Sequence, residues 1–335
     1  MLTPLQGAEG IQGGKGGESS RITEVDILRG FALFGISIVN TVGISKMPTV
    51  DAEPGAAYWA YETLLHQRFF PIFSFLFGLS FGLFLDSVRD RVNSPRFVML
   101  ARLGFLVPFG ALHRILQPDE VLLSYAVIGI AVLLPASFLP MRWVAVLGGG
   151  GTLLGVALGG GSLIIPGIFL VGLSVQRYGF GALANARVSR MLSAWATVLS
   201  LALALDVWQI GAGVGSRTPL AAAAGMMTAA AYVVGIMLLV RTRGVGRLGG
   251  LAAVGRMALT GYVGATVLIL ATGHFINLGE APRYGVAFSL GACVFAAELA
   301  FSVVWLRWAR YGPLEWLWRC LTWWRIVPIR KSSGA

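Results

Sequence analysis

Residues 21–40 read RITEVDILRGFALFGISIVN, an apolar run of membrane-helix length that opens with charges. On a helix Asp26 and Arg29, three residues apart, share a face. The same stripe continues through Leu33, Ile36 and Asn40. At about 1.5 Å per residue, Asp26 and Asn40 lie roughly 21 Å apart, near the two sides of a bilayer. Ionisable groups inside a span are costly and usually face a bundle interior or a wet cavity. The run is therefore expected to form one wall of an internal cavity. A structural ion pair that fixes helix packing is the other reading of the same two charges.

The rest of the chain supports a membrane context. Of 335 residues, 56% are hydrophobic and 12% charged, about half the charge of a soluble domain. Mean hydropathy is +0.76. The 45 glycines suit close helix approach in lipid. The net charge of +11 could suggest nucleic acid, but Lys and Arg fall in short loops between apolar runs. That is the positive-inside pattern, so no nucleic-acid partner is expected. Cys293 and Cys320 form neither a disulfide framework nor a metal-ligand spacing, and no metal is expected. Residues 1–20 are rich in Gly, Gln and Ser and read as a disordered cytoplasmic tail.

The expected fold is all-α, a polytopic helical bundle of about ten transmembrane helices. By length and hydropathy the spans fall at about 25–45, 64–86, 97–116, 119–139, 142–159, 162–179, 189–209, 219–240, 252–275 and 284–308. Loop charge orients them. With a cytoplasmic N-terminus the outer segments carry only Lys46, Arg114, Arg217 and Arg283, and every other loop arginine lies inside. Both termini are thus expected in the cytoplasm. Gly78 and Gly82 have GxxxG spacing and suggest a packing face. Residues 21–310 form the bundle, and residues 311–335 a Trp- and Arg-rich tail. Six of ten tryptophans lie between Trp305 and Trp324, a composition suited to a helix at the cytoplasmic interface.

The polar residues sort by side. His66, His113 and His274 fall at the outer ends of spans, with Asn40. Asp119 and Glu120 follow His113 closely, and a histidine beside a carboxylate is a candidate general base. A lone interfacial histidine is more simply a polar residue at the water boundary. At the inner ends, Arg21, Arg29, Arg96, Arg102 and Arg256 could hold the phosphates of a cytoplasmic ligand. Snorkelling anchors would account for some of them. Glu298, deep in the last span, needs a partner, with Arg102 or Arg256 the candidates. No P-loop, HExxH or CxxC motif is present, nor a GxSxG with triad partners.

Five stretches resemble the YeiB family of bacterial membrane proteins, whose C-terminal part is a region of unknown function, here about 165–330. The opening R-x-x-x-x-D-x-x-R-G, ending in Asn, is Arg21, Asp26, Arg29, Gly30 and Asn40. F-S-x-L-F-G is Phe73, Ser74, Leu76, Phe77 and Gly78. G-x-x-H, an acidic residue and L-x-x-Y-A are Gly110, His113, Glu120, Leu122, Tyr125 and Ala126. G-R-M-A-L-T-x-Y covers 255–260 and Tyr262, and G-P-L-E-W-L-W-R-x-L-T covers 312–319, Leu321 and Thr322. The sequence departs from the family at Gly261, Gly264, Ala265 and Glu298, where amides or a hydroxyl are usual, and at Glu120, where Asp is.

The family resembles transmembrane acyltransferases of the heparan-α-glucosaminide acetyltransferase group. That resemblance implies transfer of an acyl group from cytoplasmic acyl-CoA to an extracytoplasmic hydroxyl or amine, on a small molecule or glycan. It would place acyl-CoA phosphates at Arg21, Arg29, Arg102 and Arg256, with Asp26 among them. His113, steered by Glu120, would be the base, and Asn40 a donor to the oxyanion. The expected setting is a multi-pass protein of the bacterial plasma membrane. Two alternatives use the same residues: a small-molecule transporter or exporter, and a non-catalytic membrane partner that docks through its Trp-rich end.

Overall fold

In the computed structural model, residues 15–49, 54–184, 186–273 and 275–331 are described, without the side chains of 15–22 and 180–184. The chain is helical. Its elements are α1 (Lys15–Ile44), α2 (Ala56–Ala60), α3 (Phe69–Arg89), α4 (Pro95–Leu116), α5 (Leu122–Ala136), α6 (Met141–Ala157), α7 (Ile165–Ala184), α8 (Val188–Gly211), α9 (Pro219–Arg243), α10 (Gly249–Arg256), α11 (Ala258–Gly273), α12 (Tyr284–Trp305) and α13 (Pro313–Trp323). Proline starts α4, α9 and α13, where its missing N–H costs nothing.

Among the described residues seven helices are long and apolar enough to cross a membrane, or eight if the bent pair α10–α11 counts as one. The shorter α5 and α6 lie where the fourth and fifth spans are expected. Large apolar side chains such as Leu112, Ile115, Leu153 and Val207 stand exposed around the bundle. Water would not tolerate so much apolar surface, whereas lipid does. This is a helical membrane protein.

Two expectations change. α1 begins at Lys15, inside the stretch read as a disordered tail, because extending an existing helix is easier than starting one. The expected span 252–275 is broken at Met257, where the chain leaves helical geometry and turns by 75° between α10 and α11.

α1 is the central helix, packed on α3, α10, α11 and α12. Its closest neighbour is α10. A Cβ on Gly30 would strike the carbonyl of Leu251, and one on Gly255 the carbonyl of Asp26. The two backbones touch, and only glycine leaves room. α3 meets α7 in the same way, through Gly78 against the backbone of Phe169. Leu28, Leu33, Ile72, Leu76, Leu106 and Phe295 fill the core around α1.

Candidate functional site

The polar stripe of α1 faces a cavity of about 400 Å³. Asp26, Arg29 and Ile36 line it, with α3, α4, α11 and α13 on its other sides. One end is basic, with Arg29, Arg102, Arg256, Arg310 and Arg319. The middle is apolar, with Phe73, Leu76, Phe77, Leu103 and Leu106. The other end is closed by Val121, Leu122, Tyr125 and Tyr262.

At the basic end, Arg29 Nη1 donates to Asp26 Oδ1 at 2.6 Å and its Nη2 donates to Ser80 Oγ. The i, i+3 contact expected from the sequence therefore forms, and it faces the cavity. Arg102 lies between aromatic rings, 3.8 Å from the centre of Trp318 and 4.7 Å from that of Phe84. Trp318 Nε1 donates to the Arg102 carbonyl at 2.7 Å. The Trp-rich tail is thus more than a surface anchor: α13 forms a wall of the cavity, while Trp324 remains exposed. The side chain of Arg21 lies outside the described residues.

The break between α10 and α11 explains why two separate sequence motifs belong together. Glu315 of α13 accepts from Leu259 N (2.6 Å), Thr260 N (3.0 Å) and Thr260 Oγ1. It caps α11 from another helix, satisfying N–H groups that the break exposes. Burial pushes the Glu315 carboxyl above the usual carboxylate range, and these donors pull it partly back. Five guanidinium groups therefore face two carboxylates, each already engaged.

The far end holds a buried polar cluster behind Tyr262. His113 is 2% exposed. Its Nε2 lies 2.9 Å from Thr266 Oγ1, and Thr266 Oγ1 donates to Gln117 Oε1 at 3.0 Å. With the threonine hydrogen committed to Gln117, Nε2 carries a hydrogen and Nδ1 is the nitrogen left to take a proton. Nδ1 faces Glu120 Oε2 at 3.5 Å. That contact is not a hydrogen bond, and it becomes an ion pair only when the ring is protonated. Both Glu120 oxygens accept from the backbone N–H groups of Leu122 and Leu123, so Glu120 also caps α5.

Tyr262 stands between the cavity and His113. Its ring meets the imidazole edge-on with centroids 4.9 Å apart, and its hydroxyl accepts from Val121 N at 3.4 Å. The Asn40 amide sits beside the same hydroxyl. The structure thus brings Asn40, His113 and Glu120 to one end of the cavity and Asp26, Arg29, Arg102 and Arg256 to the other. The sequence reading missed Tyr262, Thr266 and Gln117 as neighbours of His113. A tyrosine and a threonine one helical turn apart on an apolar helix were the available signal.

Other candidates lie elsewhere. His66 Nδ1 meets Glu62 Oε1 at 2.9 Å, beside fully buried Arg68. His274 lies outside the described residues. Glu298 pairs with neither arginine considered for it, and its Oε1 is buried without a hydrogen-bond partner. Its carboxylate faces Gly261 and Gly264. The four α11 and α12 positions that depart from the family resemblance are therefore one contiguous patch: small residues on α11 make room for a carboxylate on α12.

Comparisons with known proteins find relatives that are themselves uncharacterised. Residues 175–325 match the family described as a protein of unknown function, DUF418. An uncharacterised 39.9 kDa protein from the amylase 3′ region of Bacillus acidopullulyticus is 32% identical over 94% of this chain and 97% of its own length. The uncharacterised protein YxaH of Bacillus subtilis is 25% identical over the same shares. The uncharacterised protein YeiB of Escherichia coli is 45% identical over 76 residues, covering 22% of this chain and 19% of its own.

Proposed function

We propose that this chain, which belongs to the YeiB/DUF418 family, is a transmembrane acyltransferase. It would move an acyl group from cytoplasmic acyl-CoA to an extracytoplasmic hydroxyl or amine acceptor. The observation that carries the reading is one cavity with arginines at one end and Tyr262, backed by His113, at the other. In this reading the bundle crosses the bacterial plasma membrane ten times, counting α5 and α6 and the bent pair, with both termini cytoplasmic.

The parts divide the work as follows. Arg102 and Arg256, with Arg29 held by Asp26, receive the phosphates of acyl-CoA, which suit planar, always-charged guanidinium groups. The apolar middle takes the pantetheine arm and the acyl group. Tyr262 turns aside for the thioester to reach His113. His113 Nδ1 accepts the proton as the acceptor attacks the thioester carbonyl, and Glu120 stabilises the imidazolium. The carbon–sulfur bond breaks, and His113 returns the proton to the departing CoA thiolate. Asn40 donates to the tetrahedral oxyanion.

The test is release of CoA thiol from acyl-CoA by proteoliposomes supplied with a panel of alcohols and amines. His113→Gln fills the same space but holds no base, and should lower acceptor-dependent release by about 10²–10⁴-fold. Release unchanged in His113→Gln contradicts the assignment. Acceptor flux without CoA release would instead mark a transporter.

A further inference from the structure

The inner arginines read from the sequence as one cluster divide between two cavities. Arg29, Arg102 and Arg256 line the long one. Arg96 lines a second, of about 430 Å³, and the two share no lining residue. This second cavity lies between the end of α3, the start of α4, the turn after α5, and α7. Arg89, Arg96 and Arg177 contribute its positive charge, and Asp86 its one carboxylate.

Two of the guanidinium groups are held in place by backbone. Arg96 donates from Nε to Ser137 Oγ (3.0 Å) and from Nη2 to Ser137 O (3.1 Å). Arg177 donates from Nη1 to Leu139 O (2.9 Å) and from Nη2 to Ser137 O (3.1 Å). These carbonyls cluster just past the C-terminus of α5, where unpaired acceptors are expected. Phe138 supports Arg96 from below, with its ring centre 4.2 Å from the guanidinium carbon. Arg89 and Arg96 both lie within electrostatic reach of Arg177. Asp86 is already engaged, accepting from Gln176 Nε2.

Three cations therefore share a polar cavity with a single carboxylate, which attracts Arg177 but balances only one of the three charges. Backbone dipoles orient the guanidinium groups but do not neutralise them. An anion with several acceptor oxygens relieves the repulsion and meets guanidinium N–H groups that the backbone leaves unused, such as those of Arg96 Nη1. We propose that this second cavity binds the phosphate group of an anionic ligand, either a phospholipid headgroup at the membrane surface or a free phosphate. The proposal does not depend on the acyltransferase reading, because none of its residues belongs to the long cavity.

The test uses the full-length protein purified in detergent. In one arm, native mass spectrometry counts retained phosphatidylglycerol after exchange from phosphatidylcholine micelles. In the other, inorganic phosphate is titrated calorimetrically in lipid-free detergent. The double variant Arg96→Gln/Arg177→Gln should weaken binding at least about tenfold, the scale of one lost charge-assisted hydrogen bond. Arg89→Gln, which leaves the Ser137 contacts untouched, should weaken it less but measurably. Loss confined to phosphatidylglycerol identifies a lipid headgroup, and loss of phosphate binding a free phosphate. Wild type and Arg89→Gln indistinguishable in both arms would overturn the proposal, whatever the fold of the double variant.

Discussion

His66 and His113 each sit in a buried polar cluster, and the two clusters differ in what they leave open. Around His66 the ordering element is Arg68, fully buried. Its guanidinium donates to the carbonyls of Thr63 and His66, to Asp206 Oδ1 and to Gln209 Oε1, all within 3.1 Å. Thr228 takes the other Asp206 oxygen. Neither cavity described above reaches this network. Around His113 the chain through Thr266 and Gln117 uses one ring nitrogen and leaves Nδ1 without a hydrogen bond, one aromatic ring away from a cavity. The Arg68 network fixes architecture, tying α3 to α8 and α9, and the atoms it leaves unpaired, Glu62 Oε2 and Gln209 Nε2, lie on residues that line neither cavity. A network with a spare nitrogen beside a cavity is suited to chemistry.

That contrast predicts separate consequences. Arg68→Met leaves Asp206 buried without its cation, and should cost about 3–5 kcal/mol. It should lower thermal stability in detergent sharply. His113→Gln should move the same melting curve far less, since it retains a polar group facing Thr266. If both lower stability equally, the contrast is wrong.

The next effect concerns the contact that sets α1 against α10. A Cβ at position 255 meets the Asp26 carbonyl, so Gly255→Ala should cost about 1–3 kcal/mol through overpacking. It should also displace the Asp26–Arg29 pair from the cavity wall. Equal stability of Gly255→Ala and wild type would mean the helices are not in backbone contact. The smallest effect separates the two duties of Glu120. Glu120→Gln keeps one backbone acceptor and loses the charge facing His113. Its stability cost should be about 1 kcal/mol, as for a weakened helix cap, whereas CoA release should fall more than the melting curve. A fall in stability alone would leave Glu120 a cap only.

The sequence disclosed the helical membrane class because lipid imposes long apolar runs, and disclosed the polar face of α1 because helical spacing is local. It also disclosed that His113 and Glu120 are close, since few residues separate them. It did not disclose the partners of Arg68, which lie 138 and 141 positions away, nor Thr266, 153 positions from His113. Nothing local specifies such pairs. The tail was read as an interfacial anchor because tryptophan and arginine beside a last span suit a membrane surface. Folding also turns Trp318 inward over Arg102 and Glu315 onto the broken end of α11, contacts that no local pattern announces. The break at Met257 was invisible for the same reason, because the residue that caps it lies 58 positions on.

In the proposed function the basic end of the long cavity receives acyl-CoA. Isothermal titration of the detergent-solubilised protein with acetyl-CoA and a longer acyl-CoA tests it most directly, repeated with Arg256→Ala and Arg102→Ala. Arg256 is exposed at the mouth and its loss should leave the fold intact. Saturable binding is expected, weakened about tenfold by either substitution. Absence of binding to both ligands, or binding that neither substitution changes, would contradict the proposed function.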